Sequence, residues 1–124
     1  MVENNKNLHI PMKFVKKGWG YEKWIINKNL YCGKLLFFNA GKKCSWHYHV
    51  EKDEVFYLQS GKMIVRYSEQ DNLDECETII LEPGMNFYIY PGLRHQMEAL
   101  ENSELFEFST EHFDEDSYRV IKGD

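Results

Sequence analysis

The sequence lacks a positive surplus, paired cysteines, a long apolar run and a helical repeat, and each absence removes a class of protein. With a formal net charge of -5, the chain has no basic footprint for nucleic acid or an anionic membrane surface. Its three cysteines, Cys32, Cys44 and Cys76, are odd in number and contain no Cys-x-x-Cys pair. That argues against a disulfide framework and predicts a reducing, cytoplasmic setting. No apolar run approaches the length of a membrane span, and Met1-Val-Glu-Asn-Asn-Lys-Asn has no signal-peptide core. The expectation is a soluble protein that stays inside the cell. No window sustains an apolar period of 3.6, so helices are not expected.

What is present is strand chemistry. The 124 residues suit one domain spanning 1–124, with 1–10 a loose N-terminal segment, and can bury about two-thirds of their unfolded surface. Hydrophobic residues make 43% and aromatics 15%, a composition suited to a barrel filled with side chains. Short apolar stretches alternate with turn signals, giving eight to ten strands and an all-β sandwich or barrel. Pro11 to Lys17 could form an edge strand. Tyr31 to Phe38 is a continuous apolar run that reads as a strand buried on both faces, and Ser60-Gly61 reads as a tight hairpin between its neighbours. Lys34, inside the long run, could reach the barrel mouth or snorkel at its rim, and the sequence assigns it neither role. Ser68 to Glu75 is acidic, but its spacing does not fit a calcium loop, so a solvated hairpin tip is expected.

Two stretches carry chemistry. In the first, His47 and His49 stand two apart, so in a strand both side chains leave the same face. Glu54 heads the next apolar run, and the polar link from Val50 to Asp53 lets the chain turn and bring it beside the imidazoles. In the second, His95 follows the turn Pro91-Gly92, where sheet geometry can aim it inward. Three imidazoles and a carboxylate suit one divalent metal ion, whether Zn, Mn, Fe or Ni. His9 and His112 stand alone and read as satisfied surface or core residues. Cys44, three positions from His47, would face the opposite side of an unbroken strand and reads as structural.

These stretches resemble the two motifs of the cupin superfamily. Gly41, His47, His49, Glu54 and Gly61 match the first motif in type and spacing; Gly84, Gly92 and His95 match the second. Tyr90 and Ala99 depart from it at positions that shape turns. The resemblance implies a double-stranded β-helix, a small jelly-roll barrel with the metal in its mouth, and a homodimer. The tail is similar to the cupin domain of type II mannose-6-phosphate isomerases: Asp114-Glu115-Asp116, Ser117-Tyr118 and Arg119 fall on that family's acidic triplet, spacer and Arg. Gly18-Trp19-Gly20 resembles its Pro-Trp-Gly, and Ser45-Trp46-His47-Tyr48-His49 its Ser-Leu-Gln-Tyr-His, with His47 in place of Gln.

That likeness implies a metal-dependent isomerase of sugars or sugar phosphates, acting by aldose–ketose isomerisation through a metal-stabilised enediolate. Arg119 would hold an anionic or polyhydroxy substrate through its planar fork, or else form an ion pair with the acidic residues before it. Two other readings stay open: a non-haem Fe(II) dioxygenase using the same ligands, and a non-catalytic carbohydrate-binding or regulatory cupin.

Overall fold

The computed structural model describes residues 8–124, and among these eleven strands form two antiparallel sheets. In chain order they are β1 (Lys13–Lys17), β2 (Gly20–Lys28), β3 (Tyr31–Phe38), β4 (Trp46–Tyr48), β5 (Glu54–Ser60), β6 (Met63–Ser68), β7 (Glu77–Leu81), β8 (Asn86–Ile89), β9 (Arg94–Ala99), β10 (Ser103–Ser109) and β11 (Tyr118–Ile121). One sheet runs β1-β2-β3-β10-β5-β8 and the other β11-β4-β9-β6-β7. Among the described residues helix is confined to two 3-10 turns, Leu73–Glu75 and Asp114–Asp116. No helix of the described residues is long and apolar enough to cross a membrane. This is the jelly-roll architecture expected of the motifs, with β1 at a sheet edge as its composition suggested. Of the segment expected to be loose, residues 1–7 lie outside the described residues, and 8–10 are exposed without regular structure.

Strand parity separates an apolar end from a polar end. On β3 the buried positions are Cys32, Lys34, Leu36 and Phe38, the inward set of a period-two strand. The same parity buries Ser103, Leu105 and Glu107 on β10, and Glu54, Phe56 and Leu58 on β5. At one end Leu36, Phe38, Leu58 and Leu105 pack against Met63 and Val65 of the opposite sheet. At the other end the inward positions are Lys34, Glu54 and Glu107, which is where the site forms.

Three sequence expectations change. The run from Tyr31 to Phe38 is buried on one face only, with Tyr31 half exposed and Leu35 and Phe37 partly covered. On its outer face Phe37 packs sideways against cross-strand neighbours, with Tyr21 stacked between Phe14 (4.6 Å) and Phe37 (5.4 Å). Ser60-Gly61 does not close a hairpin. β5 is already flanked by β10 and β8, so the chain crosses at Gly61 to the other sheet, where β6 pairs with β7 and β9. Gly61 has φ +93°, and a Cβ there would collide with Asn102 and Ser103. Finally, the tail supplies an eleventh strand, β11, which pairs with β4.

Candidate metal centre

One row of cross-strand pairs builds most of the site. Arg119 on β11 faces His47 on β4, His47 faces His95 on β9, and His95 faces Tyr67 on β6. Residues directly opposed in an antiparallel sheet point to the same side, so these side chains share the inner face. His49, one residue past β4, keeps the parity of His47 and joins the cluster. Glu54 enters from the opposite sheet as the first residue of β5.

The three histidines each present one ring nitrogen, and these atoms lie within 4.8 Å of one another. Their hydrogen bonds fix which nitrogen faces inward. His47 Nδ1 donates to the backbone carbonyl of Ser45 (2.9 Å), His49 Nδ1 to that of Asp116 (2.8 Å) and His95 Nδ1 to that of Leu93 (2.9 Å). A carbonyl can only accept, so Nδ1 carries the proton in each ring and Nε2 keeps its lone pair. Burial is the main force holding all three rings neutral. His49 and His95 are pushed down to about 3 and His47 well below its usual range, with nearby positive or imidazole groups adding to the effect.

Glu54 completes an arrangement of acceptors. Its Oε2 lies 3.4 Å from His49 Nε2 and 3.6 Å from His95 Nε2. Neither Glu54 Oε2 nor His95 Nε2 has a hydrogen-bond partner among the described residues, although both are buried. Each such orphan costs about 1–3 kcal/mol. Burial and the Glu107 carboxylate push the Glu54 carboxyl up to about 8, while Lys52 and Lys34 pull it down. Lone pairs of neutral imidazoles converging with an unsatisfied carboxylate oxygen fit a divalent cation, which would satisfy both orphans at once.

The loop from His49 to Glu54 is held by a residue far along the chain. The Asp116 carboxylate accepts backbone N–H bonds from Val50 (2.8 Å), Glu51 (3.1 Å) and Lys52 (3.0 Å). Its carbonyl is the acceptor for His49, so one residue orients both the loop and a ring. Behind Glu54, the buried Lys52 ammonium sits 2.9 Å from Glu107 Oε2 and 3.9 Å from Glu54 Oε1.

A cavity of about 460 Å³ opens onto these groups; Trp19, Trp24, Lys34, His112 and Arg119 are among its lining residues. Arg119 is exposed at its rim and forms no ion pair among the described residues; Asp116 is committed to the loop and Asp114 to His112. His112 is not the satisfied residue expected of a lone histidine, since its Nδ1 is buried without a partner. Cys44 also borders the cavity, contrary to strand parity, because the chain before β4 is not a continuous strand. Its thiol donates to the Ser45 carbonyl and burial pushes it up to about 11, which leaves it a structural group. Sequence reading missed Lys52, Glu107, Asp116 and His112 and gave Lys34 no role. For Lys34 and Glu107 a signal existed, because each falls on the inward parity of its strand beside buried apolar residues.

The description Cupin domain matches residues 35–108. No curated protein matches the chain in sequence. Among solved structures, the capsular polysaccharide assembling protein CapF from Staphylococcus aureus superposes with a TM-score of 0.74 at 21% identity, over 91% of this chain and 33% of its own. KdgF from Halomonas sp. gives 0.66 at 22% identity, over 77% of this chain and 81% of its own. Oxalate decarboxylase from Bacillus subtilis gives 0.76 at 15% identity, over 87% and 30%. The chain thus spans about a third of the length of CapF and of oxalate decarboxylase, and these likenesses speak for the fold. With the domain match covering both histidine-bearing stretches, the chain belongs to the cupin family.

Proposed function

We propose that this cupin is a metal-dependent enzyme acting on an open-chain sugar or sugar phosphate, and that the reaction is aldose–ketose isomerisation. The carrying observation is the convergence of neutral, Nδ1-protonated His47, His49 and His95 on the unsatisfied Oε2 of Glu54, at one end of a cavity large enough for a hexose. His47, His49, Glu54 and His95 would hold one Zn, Mn, Fe or Ni ion. Bound there, it supplies Lewis acidity toward adjacent carbonyl and hydroxyl oxygens. The chain's own groups do the rest. The Ser45, Asp116 and Leu93 carbonyls orient the rings, and the Lys52 ammonium bridges Glu107 and Glu54 and offsets the repulsion between them. Arg119, at the rim without an ion pair among the described residues and in register with His47, offers its fork to an anionic substituent.

Relatives in fold include a capsular polysaccharide assembling protein and an oxalate decarboxylase with Mn(II) centres, and the second is consistent with a metal site on this fold. We further read the protein as a cytoplasmic homodimer. The cytoplasmic reading draws on three free cysteines. The homodimer reading draws on the apolar outer face of β3, β5 and β10, where Tyr57 and Phe108 stand exposed.

The test is turnover of mannose 6-phosphate, glucose 6-phosphate and fructose 6-phosphate by protein loaded separately with zinc, manganese, nickel and iron. Interconversion of any pair, abolished in His95→Ala, supports the isomerase. Oxygen uptake only with Fe(II) would move the assignment to a dioxygenase, and neither activity with any metal would leave a binding module.

A further inference from the structure

The cavity has a second polar lining, away from the histidine cluster, around Trp24 of β2. Lys34 is 2% exposed, yet among the described residues its ammonium makes no hydrogen bond. Its nearest carboxylate oxygen, Glu22 Oε1, is 3.6 Å away and already accepts from Trp24 Nε1 at 2.7 Å. The ammonium instead stands 4.1 Å from the centre of the Trp24 ring. With Glu22 only an ion-pair contact at 3.6 Å, the three N–H donors of this ammonium keep room for a closer acceptor.

His112 meets the same tryptophan edge-on, with ring centroids 5.1 Å apart. Its Nε2 pairs with the Asp114 carboxylate at 3.0 Å, which puts the proton of the neutral ring on Nε2 and a lone pair on Nδ1. Nδ1 is the buried atom without a partner. Asn27 clamps the His112 backbone through both its amide and its carbonyl, so the ring is fixed in place. A buried ammonium held by a long Glu22 contact and a ring face, and an acceptor with nothing to accept, thus flank one aromatic ring and line one cavity.

Charge decides what belongs between them. Lys34 and Lys13, whose ammonium is 4.5 Å from the Trp24 ring, are balanced by Glu22 and Asp114. Lys52 and Glu107 neutralise each other. An anion would meet carboxylates as readily as ammonium groups, and a cation would meet Lys34. A neutral hydroxyl meets neither objection and has both a lone pair and a proton to offer.

We propose that Lys34 and His112 form a hydroxyl-binding subsite beside Trp24, in which one hydroxyl of a neutral polyol stretch accepts from Lys34 Nζ and donates to His112 Nδ1. This rests on reading the cavity as a sugar site and adds polarity to it: the hydroxylated part of the substrate lies toward Trp24, and any anionic substituent lies toward Arg119.

The test is calorimetric titration of D-sorbitol, a neutral open-chain hexitol, into the full-length protein, as purified and after chelator treatment. Saturable binding is expected, weakened about tenfold by Lys34→Met and by His112→Phe, the scale of one lost charge-assisted or buried hydrogen bond. His112→Asn, which keeps an acceptor near the Nδ1 position, should weaken it less than His112→Phe. Metal content measured on each variant should equal that of the wild type. His112 lies outside the apolar core, so its two variants carry the test even where Lys34→Met fails to fold. Binding that depends on Lys34 and His112 and survives chelator treatment would sustain the subsite on its own, whereas the metalloenzyme reading fails separately if the protein as purified and after reconstitution carries no metal. Absence of sorbitol binding in the wild type, or equal affinity in wild type and variants, would overturn the proposal.

Discussion

His49 Nδ1 donates to the backbone carbonyl of Asp116 at 2.8 Å, and the Asp116 carboxylate holds the three amides that follow His49. The tail and the first histidine stretch are thereby one unit. Asp116→Ala should leave the barrel folded but free the loop from Val50 to Lys52, so that His49 and Glu54 lose their fixed approach. Loss of such a supporting contact weakens metal binding by roughly 10–100-fold. Competition with a chromogenic chelator measures this directly, and an unchanged affinity would remove Asp116 from the site.

The Lys52–Glu107 pair gives a stability expectation at neutral pH. Both groups are buried and 2.9 Å apart. Removing one partner strands the other charge, at a cost of about 3–5 kcal/mol. Glu107→Ala should show that loss in urea unfolding at pH 7, whereas the double change Lys52→Met, Glu107→Leu should lose much less. Equal losses in the single and double variants would mean that packing, not the stranded ammonium, sets the cost.

The same pair sets an acid limit. Burial pushes the Glu107 carboxyl up, but Lys52, Lys34 and the Lys52 hydrogen bond outweigh it and hold the group well below its ordinary value of 4.5. Because the folded value is the lower one, this contribution is complete above pH 4.5 and drains away as the pH falls below it. Unfolding free energy measured from pH 6 to pH 3 should fall more steeply in wild type than in the Lys52→Met, Glu107→Leu variant. Parallel curves would refute the assignment.

Backbone geometry separates two glycines with the same φ of +93°. Gly61 has Asn102 and Ser103 where a Cβ would go, while Gly84 has open space. Gly84→Ala should cost only the left-handed penalty of about 1–2 kcal/mol. Gly61→Ala adds a backbone collision at the crossing between sheets and should be markedly worse. Thermal midpoints of the two variants decide the matter, and a similar midpoint for both would show that the 60–62 crossing can shift.

Much of this molecule was legible in the sequence, and the reason is parity. His47 and His49 two apart, glycine turns, and short apolar stretches specify an all-β barrel with an inward ligand face, because period-two strands leave few alternatives. What parity cannot give is which strand sits beside which. The Gly61 step reads as a hairpin in the sequence because local turn chemistry does not reveal that β5 already has two partners. Asp116 and His112 were missed for a related cause: their roles come from contacts with residues 49–52 and with Asn27 and Trp24, distant in sequence. Lys34 was readable in principle, since it shares the inward parity of Cys32 and Leu36. A lysine among apolar residues on that face is the kind of local conflict that marks a functional site.

The central claim is that His47, His49, Glu54 and His95 hold one divalent ion, and elemental analysis of purified protein beside a His47→Ala, His95→Ala double variant tests it most directly. The account expects about one equivalent of zinc, manganese, iron or nickel per chain in the wild type and background levels in the variant. Wild-type protein that binds no metal even after reconstitution, or a variant that retains the full equivalent, would contradict it.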